Sequence, residues 1–490
     1  MLAHSFKRQV LVSSSHTRCC RGFQAAATRS PRTLKISAAS SGALAASLMA
    51  GLGYSFYADP SPSLGERVPT PLSKLVTSYV VYSMCSIPGL VEASPALLAF
   101  CTSIPGLRQL TEAFVRATFF TQFVGGDTAH ACLPLIRQLR AENKGALFAY
   151  SVEVDAKEAA GGASSTREPV HKRVMQEMIR SIDAAADFED SQPRANGIPG
   201  SGRRTWVAIK LSALLPNSAA LLHLSAHISS LHVDDTILFP GCPHGDDLAI
   251  LHLTEPPSDS HLSTQDLADL RELHKDLIRI CTRARARNVR LIVDAEHSWY
   301  QPAVDAISLT MMREFNKDPS SLFDWTPRSF SRLLRPASPP PLIYVTFQAY
   351  LRRTPEYVSR SLQDAASHKY ALGSSSSASE SPSLALTTNS SWPPVFTKKT
   401  DTDRCYEAAA VELVRAVANA DGRGPSVGVL FGSHNAKSCD KVLDALISVG
   451  LATHEGDGIV RVGDHAAERV SLAQLYGVSI CLGDCVGGKC

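Results

Sequence analysis

The sequence predicts an α/β fold in which parallel strands alternate with helices and end at one mouth of a barrel. From residue 146 onward, short runs of aliphatic and β-branched residues alternate with longer segments that repeat apolar residues at helical spacing. Polar residues stand at the carboxyl ends of four of these runs, which is where barrels place their chemistry. With 490 residues, 44% of them hydrophobic, the chain can bury one large core or two.

The start of the chain has the composition of a mitochondrial transit peptide. Residues 1–58 are rich in serine and contain several arginines and lysines, and the first acid is Asp59. Residues 36–57 are uncharged and about long enough to span a bilayer, but their Ser, Ala and Gly content favours a linker over a transmembrane helix. We therefore predict a transit segment and linker over residues 1–60.

An apolar, mostly helical arm is predicted over residues 61–140, with breaks at Pro88, Pro95 and Pro105. Charge and cysteine content then limit the function classes. The net charge of +3 gives no argument for a nucleic-acid partner. The 12 cysteines show no C-x-x-C spacing, which favours free thiols in a reduced compartment and no metal site. Metal binding by the loose group Cys481, Cys485 and Cys490 is the less favoured alternative.

The barrel elements follow in order. A long irregular insertion is predicted over residues 233–263, and a Gly/Ser-rich loop over residues 155–168. Helices are predicted to end near residue 187 and to cover residues 270–287, 303–316, 356–371 and 438–449. Strands are predicted at residues 146–152, 206–211, 289–293, 342–347, 426–431 and 471–475.

Six residues at strand ends are candidates for function. Each has a simpler interpretation: a carboxylate that caps a helix, a lysine that reaches the surface, an amide that closes a turn, or a plain helix start. Because the carboxyl ends of parallel strands converge on one mouth, the joint functional interpretation is stronger than each single one. These residues are Lys210, Asp294, Glu296, Gln348, Ser433 and His434.

Six motifs in order resemble the mitochondrial proline dehydrogenase family, from about residue 64 to residue 477. The motifs are Phe123-Val124-Gly125-Gly126-Asp127, Ala208-Ile209-Lys210-Leu211-Ser212-Ala213-Leu214, Val293-Asp294-Ala295-Glu296, Gln348-Ala349-Tyr350-Leu351, Phe431-Gly432-Ser433-His434-Asn435 and Gln474-Leu475-Tyr476-Gly477.

The resemblance implies a distorted (β/α)8 TIM-type barrel over residues 141–480 that holds FAD at its carboxyl mouth. It also implies oxidation of L-proline to 1-pyrroline-5-carboxylate, the first step of proline catabolism to glutamate. Electrons would pass to membrane quinone, at the matrix side of the mitochondrial inner membrane. Residues 481–490 look unrelated to the family and are expected to form a tail.

Site roles follow from the resemblance residue by residue. Lys210 matches a lysine that contacts the proline carboxylate, and Asp294 an aspartate that orders the cationic groups around the substrate. Ala295 and Gln348 match positions that line the flavin. Ser433 and His434 match a pair that holds FAD.

Two departures from the family pattern stand beside these matches. A strand bearing an arginine near flavin N5 has no counterpart, because Ser374 opens a low-complexity insert over residues 374–391. The match stops at Gly477, before a final family helix with a paired arginine for the substrate carboxylate. Arg352-Arg353 lies on a different element and is not that pair. We therefore predict an incomplete barrel with open strand edges.

These departures leave several functions open. The family activity is proline oxidation, and related hydroxyproline oxidation is an alternative. A catalytically inactive flavin-binding homologue, or an incomplete gene product, is a third. Loss of whole blocks between retained motifs favours an incomplete product over gradual drift. From the missing arginines we expect weak FAD binding and little proline oxidation by the chain as written.

Overall fold

A computed structural model describes residues 7–14, 72–151, 169–192, 202–232, 237–258, 260–317, 340–377, 393–419, 426–455 and 459–478. The chain forms two compact units. One comprises Arg21–Val124, and the other comprises Met1–Cys20 with Gly125–Cys490. The predicted tail, the loop at residues 155–168 and most of the predicted transit segment lie outside the described residues.

The smaller unit contains most of the helical arm predicted over residues 61–140, but it ends at Val124, and residues 125–140 belong to the larger unit. Pro88 opens its second helix at a position where proline fits, because the first helical N–H groups need no intrahelical acceptor. Pro95 lies inside that helix, so the predicted break at Pro95 is wrong. Inside the unit, the Ser78 hydroxyl donates to Oε1 of Gln122 at 2.8 Å. The helices are α1 (Leu72–Cys85), α2 (Pro88–Ser103), α3 (Leu107–Val115) and, after a π-helical turn at Arg116–Phe120, α4 (Thr121–Phe123).

The larger unit is a closed barrel. Around the barrel the described strands run in the order β1-β10-β7-β6-β5-β4-β3-β2. All neighbouring pairs are parallel except the two that involve β1, and β8 pairs with β9 in a separate two-stranded sheet. The strands are β1 (Lys7–Ser14), β2 (Gly145–Ser151), β3 (Thr205–Ile209), β4 (Leu291–Val293), β5 (Ile343–Gln348), β6 (Leu372–Ser377), β7 (Val427–Gly432), β8 (Ala452–Glu455), β9 (Ile459–Val462) and β10 (Val470–Leu475).

Helices cover the outside of the strands and share with them one large apolar core. Capping fixes the start of the longest: the Ser263 hydroxyl accepts from the Asp266 N–H, and the Asp266 carboxylate accepts from the Ser263 N–H. The helices are α5 (Ala129–Ala141), α6 (Val170–Asp190), α7 (Ala219–Leu231), α8 (Thr264–Arg287), α9 (Gln301–Phe315), α10 (Thr354–His368), α11 (Lys399–Asn419), α12 (Ala436–Ser448) and α13 (Asp464–Ala467). The predicted strands and helices of the barrel are thus confirmed, with shifted ends.

The prediction that the serine run cannot form a buried strand is wrong. Ser374 and its neighbours belong to β6, which pairs with β5 on one side and β7 on the other. Asn316 holds the start of both β5 and β6, because its side chain bonds the backbone of Leu342, Ile343 and Ala371 at 2.8–3.0 Å. Residues 378–391 of the predicted insert lie outside the described part of the chain.

Closure of the barrel also differs from the prediction of open edges. β1 pairs antiparallel with both β2 and β10, so it occupies the gap between the first and last parallel strands. This strand comes from the segment with transit-peptide composition. The backbone N–H and C=O groups that would otherwise form two open edges are therefore paired.

Aromatic side chains fill the interior of the barrel at its amino end. Tyr344 on β5 is fully buried and packs against Trp206 on β3, with ring centroids 4.8 Å apart. Two glycines make room for it. A Cβ on Gly373 would lie 2.1 Å from the carbonyl oxygen of Ile343, and a Cβ on Gly428 would lie 2.4 Å from the Tyr344 hydroxyl.

We predict that the two glycines differ in how their substitution can be relieved. Gly373→Ala should lower the free energy of unfolding by about 3 kcal/mol or more, because the added methyl meets backbone. Gly428→Ala should cost less when combined with Tyr344→Phe, which removes the nearest atom. That hydroxyl has no hydrogen-bond partner among the described residues, so Tyr344→Phe alone should be nearly neutral.

Urea unfolding followed by circular dichroism measures both effects. The matched comparison is Gly373→Ala with Tyr344→Phe, which should recover nothing. Equal recovery in the two double variants would contradict the assigned contacts.

Candidate active site at the mouth of the barrel

Lys210 and Asp294 follow neighbouring strands at the carboxyl end of the barrel. Ala208 on β3 and Ile292 on β4 belong to the interior cluster, so side chains two residues later on each strand point inward as well. The Asp294 N–H donates to the carbonyl of Ile209 at 2.9 Å, which continues the ladder between the strands. The structure thus brings together the two residues predicted as catalytic.

The surroundings of the Asp294 carboxyl group raise its pKa well above the ordinary value. Its side chain is half-buried, and burial raises its pKa to about 6. The Lys210 ammonium lowers that pKa in part, and the Glu296 carboxylate raises it. This pair therefore places a lysine beside a carboxyl group that is protonated more easily than an exposed one.

Glu296 joins the ends of three strands. Its carboxylate accepts from the Ser212 N–H after β3 at 2.9 Å. Its backbone carbonyl accepts from Nε2 of Gln348 at the end of β5, at 3.0 Å. Because Glu296 itself follows β4, one residue fixes the spacing of β3, β4 and β5 at the mouth.

The Gln348 side chain is buried, and one of its two polar atoms makes no hydrogen bond within the described residues. Its Nε2 donates to Glu296, and its Oε1 is buried without a hydrogen-bond partner in the described part of the chain. The backbone is also held, since the Thr354 hydroxyl donates to the Gln348 carbonyl at 2.6 Å. An unsatisfied acceptor at a rigid strand end fits a ligand that presents an N–H group.

Ser433 and His434 follow β7 and are fastened to β10. The Ser433 N–H donates to the Ala473 carbonyl at 3.1 Å, and Gln474 donates to the Ser433 carbonyl at 3.1 Å. Nε2 of His434 accepts from the Leu475 N–H at 3.1 Å. Ala295, the remaining predicted residue, is half-buried between Asp294 and Glu296.

The His434 ring has one buried nitrogen that makes no hydrogen bond within the described residues. Burial lowers the pKa of His434, which favours the neutral ring. Since Nε2 already accepts a hydrogen bond, the ring proton resides on Nδ1. Nδ1 is buried and has no partner among the described residues. An anionic or carbonyl oxygen of a ligand would satisfy it.

Sequence reasoning missed the polar residues beneath the mouth. Gln301 and Asp305 lie one turn apart on α9, and Arg353 precedes α10; all three are buried. The signal was present in the sequence, because Gln301 and Asp305 stand at i and i+4 among the mainly apolar residues of α9. In the described ranges, no cluster of three or more His, Cys, Asp or Glu could hold a metal ion.

The fold and the site define a class: an α/β-barrel enzyme whose functional groups lie at the carboxyl mouth. A sequence model described as proline dehydrogenase matches residues 136–482, more than two thirds of the chain. The chain belongs to the proline dehydrogenase family, a family of oxidoreductases.

Two named relatives and one solved structure are similar to this chain. A protein of Schizosaccharomyces pombe named probable mitochondrial proline dehydrogenase is 23% identical, and the match covers 82% of this chain and 75% of the relative. Mouse hydroxyproline dehydrogenase is 26% identical, with 82% of this chain and 80% of the relative covered. Among solved structures, proline utilization A of Bdellovibrio bacteriovorus matches 88% of this chain at 14% identity and a TM-score of 0.49; the chain spans 36% of it.

We predict that Asp294→Asn changes how stability depends on pH. The pKa of the folded state lies above the ordinary value, so the folded wild type holds the proton more tightly and loses stability as pH rises from about 4 through 6. Asp294→Asn removes this loss. The variant should therefore gain stability relative to wild type between those pH values, as measured by urea unfolding at pH 4.5 and pH 7.

Lys210→Met provides the complementary control. Without the ammonium, the Asp294 pKa should rise further. The loss of stability with rising pH should then extend to higher pH in this variant than in the wild type. A stability difference between wild type and Asp294→Asn that does not change with pH would refute the assigned pKa.

Proposed function

We propose that the mouth of the barrel binds FAD and oxidises L-proline to 1-pyrroline-5-carboxylate. The observation that carries this proposal is the set of unsatisfied buried polar atoms, Oε1 of Gln348 and Nδ1 of His434, at the strand ends where the family pattern expects flavin. Family membership supports proline as the substrate class.

The donor set of the site suits FAD. Oε1 of Gln348 would accept from a ring N–H of the flavin, and Nδ1–H of His434 would donate to an oxygen of the cofactor. Ser433 would hold its place beside His434 through its bonds to β10, and Ala295 would line the ring. When bound, FAD supplies the two-electron acceptor that takes hydride from a carbon next to nitrogen.

The residues of the chain bind and orient the substrate. The Lys210 ammonium would pair with the proline carboxylate and fix which face of the ring is presented. Asp294 would help to hold the Lys210 side chain in place, since a carboxylate attracts an adjacent cation. Among the described residues that directly follow a barrel strand, Lys210 is the one with a positive charge. Because one cation alone would hold the substrate carboxylate there, we expect slow turnover.

Hydroxyproline is the second candidate substrate. Relatives named hydroxyproline dehydrogenase match this chain as well as those named proline dehydrogenase, at 24–27% against 21–24% identity. The two substrates share the carboxylate and the ring nitrogen. The proposed contact of Lys210 with the carboxylate therefore serves both.

We also propose a mitochondrial location, with electrons passed to quinone at the matrix side of the inner membrane. Several relatives are named mitochondrial. No single described helix is long and apolar enough to cross a membrane, whereas α1 and α2, bent by 95°, pass that test of length and composition together. α2 buries none of its residues, and Leu97 and Phe100 are 49% and 62% exposed. A lipid surface would cover them.

We predict that FAD binds the full chain saturably, with quenching of flavin fluorescence, and that Gln348→Leu weakens this binding. Lys210→Met should leave FAD affinity unchanged but slow anaerobic bleaching of the flavin by proline. Loss of one buried charge partner costs about 2–5 kcal/mol, which is roughly 30-fold to several thousand-fold in rate. Lys275→Met, an exposed lysine on α8, is the control and should change neither quantity.

Repeating the bleaching with 4-hydroxyproline separates the two substrates. A chain that binds no FAD, or one whose proline bleaching is insensitive to Lys210→Met, would overturn the proposed function.

Membrane contact is tested separately. We expect the full chain to float with vesicles of phosphatidylcholine and cardiolipin, and Leu97→Glu combined with Phe100→Glu to abolish flotation, because two buried charges oppose insertion. The matched control is Leu222→Glu with Leu231→Glu, exposed leucines of α7 in the barrel unit. Equal loss in both double variants would rule out the arm as the contact surface.

A further inference from the structure

We propose that Asp305 and Arg353, a buried ion pair beneath the mouth, form a positioning pair that holds Gln348 and Glu296 in the orientation required by the flavin. The proposal rests on the proposed function for its ligand, but its first premise concerns the protein alone. That premise is that the pair fixes the carboxyl ends of β4 and β5.

The ion pair is almost completely removed from solvent. Nη2 of Arg353 lies 2.6 Å from Oδ2 of Asp305, and the two side chains are 2% and 1% exposed. The guanidinium also donates through Nη1 to the carbonyl of Gly241 and lies 4.4 Å from the centre of the Tyr357 ring. Arg353 therefore joins α9, α10 and the insertion after α7 at one point.

A closed circuit of interactions links this pair to the site. It consists of four hydrogen bonds, the ion pair itself and the peptide bond between Arg353 and Thr354. Asp305 accepts from Nε2 of Gln301 at 2.7 Å, and Oε1 of Gln301 accepts from the Glu296 N–H at 3.2 Å. The Glu296 carbonyl accepts from Gln348 at 3.0 Å. The Gln348 carbonyl accepts from Thr354, which is covalently joined to Arg353. Each group in the circuit is therefore oriented by its bond to the neighbouring group.

The circuit reaches a third strand through Glu296. Its carboxylate accepts from the N–H of Ser212, two residues after Lys210. The orientation of the free Oε1 of Gln348 and the spacing of β3, β4 and β5 thus depend on where Gln301 and Asp305 stand. Breaking the pair should disturb the site without touching any ligand.

Stability alone is a weak reason for such a pair. Taking two charges out of water costs several kcal/mol per ion, and apolar residues of similar volume are often as stable or more so. A pair that fixes directional bonds at a ligand site has a different role, because apolar side chains cannot replace the geometry. The two roles make opposite predictions for an apolar replacement.

The opposite end of the barrel supplies a matched control. Glu189 is buried and pairs with Arg140 where β3 begins. It also accepts from the Thr205 hydroxyl and from the Arg204 N–H at 3.0 Å. The Glu189 carboxylate is as buried as that of Asp305, although the Arg140 side chain is 16% exposed, and the pair lies at the amino end, away from the mouth.

The experiment compares Asp305→Asn with Glu189→Gln in the full chain. Both should lower the thermal midpoint. Asp305→Asn should also raise the FAD dissociation constant by about tenfold or more, and Glu189→Gln by less than about twofold. Without FAD, hydrogen exchange should quicken at residues 294–301 and 348–354 in Asp305→Asn and stay unchanged there in Glu189→Gln.

An apolar replacement separates positioning from stability. Asp305→Leu with Arg353→Met should recover the thermal midpoint, while FAD affinity stays low and exchange at residues 294–301 stays fast. Recovery of both, or identical exchange at the mouth in Asp305→Asn and wild type, would overturn the proposal. If the wild type binds no FAD, the proposed function fails, and the exchange data still decide whether the pair positions the mouth.

Discussion

The hydrogen bonds of Glu296 are the interaction on which the rest of the mouth depends. Parallel strands bring their carboxyl ends to one edge, but register alone leaves each end free to bend where the ladder stops. Glu296 removes that freedom, since its carboxylate holds the end of β3 and its carbonyl holds Gln348 after β5. Lys210 and Asp294 therefore face the same space by constraint, and burial of the Asp294 carboxyl group in this position raises its pKa to about 6.

Much of this arrangement can be read from sequence. Strands such as β3, β5 and β7 are rich in buried hydrophobic residues. This hydrophobic pattern predicts a strand whatever side chains pack against it. The inward phase of Lys210 and Asp294 follows from alternation once a strand end is placed. The pairing of Ser433 and His434 with β10 could be expected only as a family property, because it depends on which strand closes the barrel.

Other features depend on contacts that no local pattern records. β6 consists mainly of glycine and serine, which have low strand propensity; neighbours on both sides and the side chain of Asn316 override that preference. Likewise, β1 pairs by backbone groups, which every residue carries, so its composition indicated targeting rather than a strand. The role of Arg353 could not be predicted from the sequence, because its partner Asp305 is 48 residues away.

The aromatic side chains around Tyr344 close the interior of the barrel at its amino end. With Tyr344, Trp206 and their apolar neighbours in the interior, a molecule cannot pass through, and the inward-facing groups are reached from one direction. Under the proposed function, the amino acid and the electron acceptor would reach the site through the same opening. The oxidised amino acid would then have to leave before the acceptor could approach, so a single entrance would impose an alternating order on the two half-reactions.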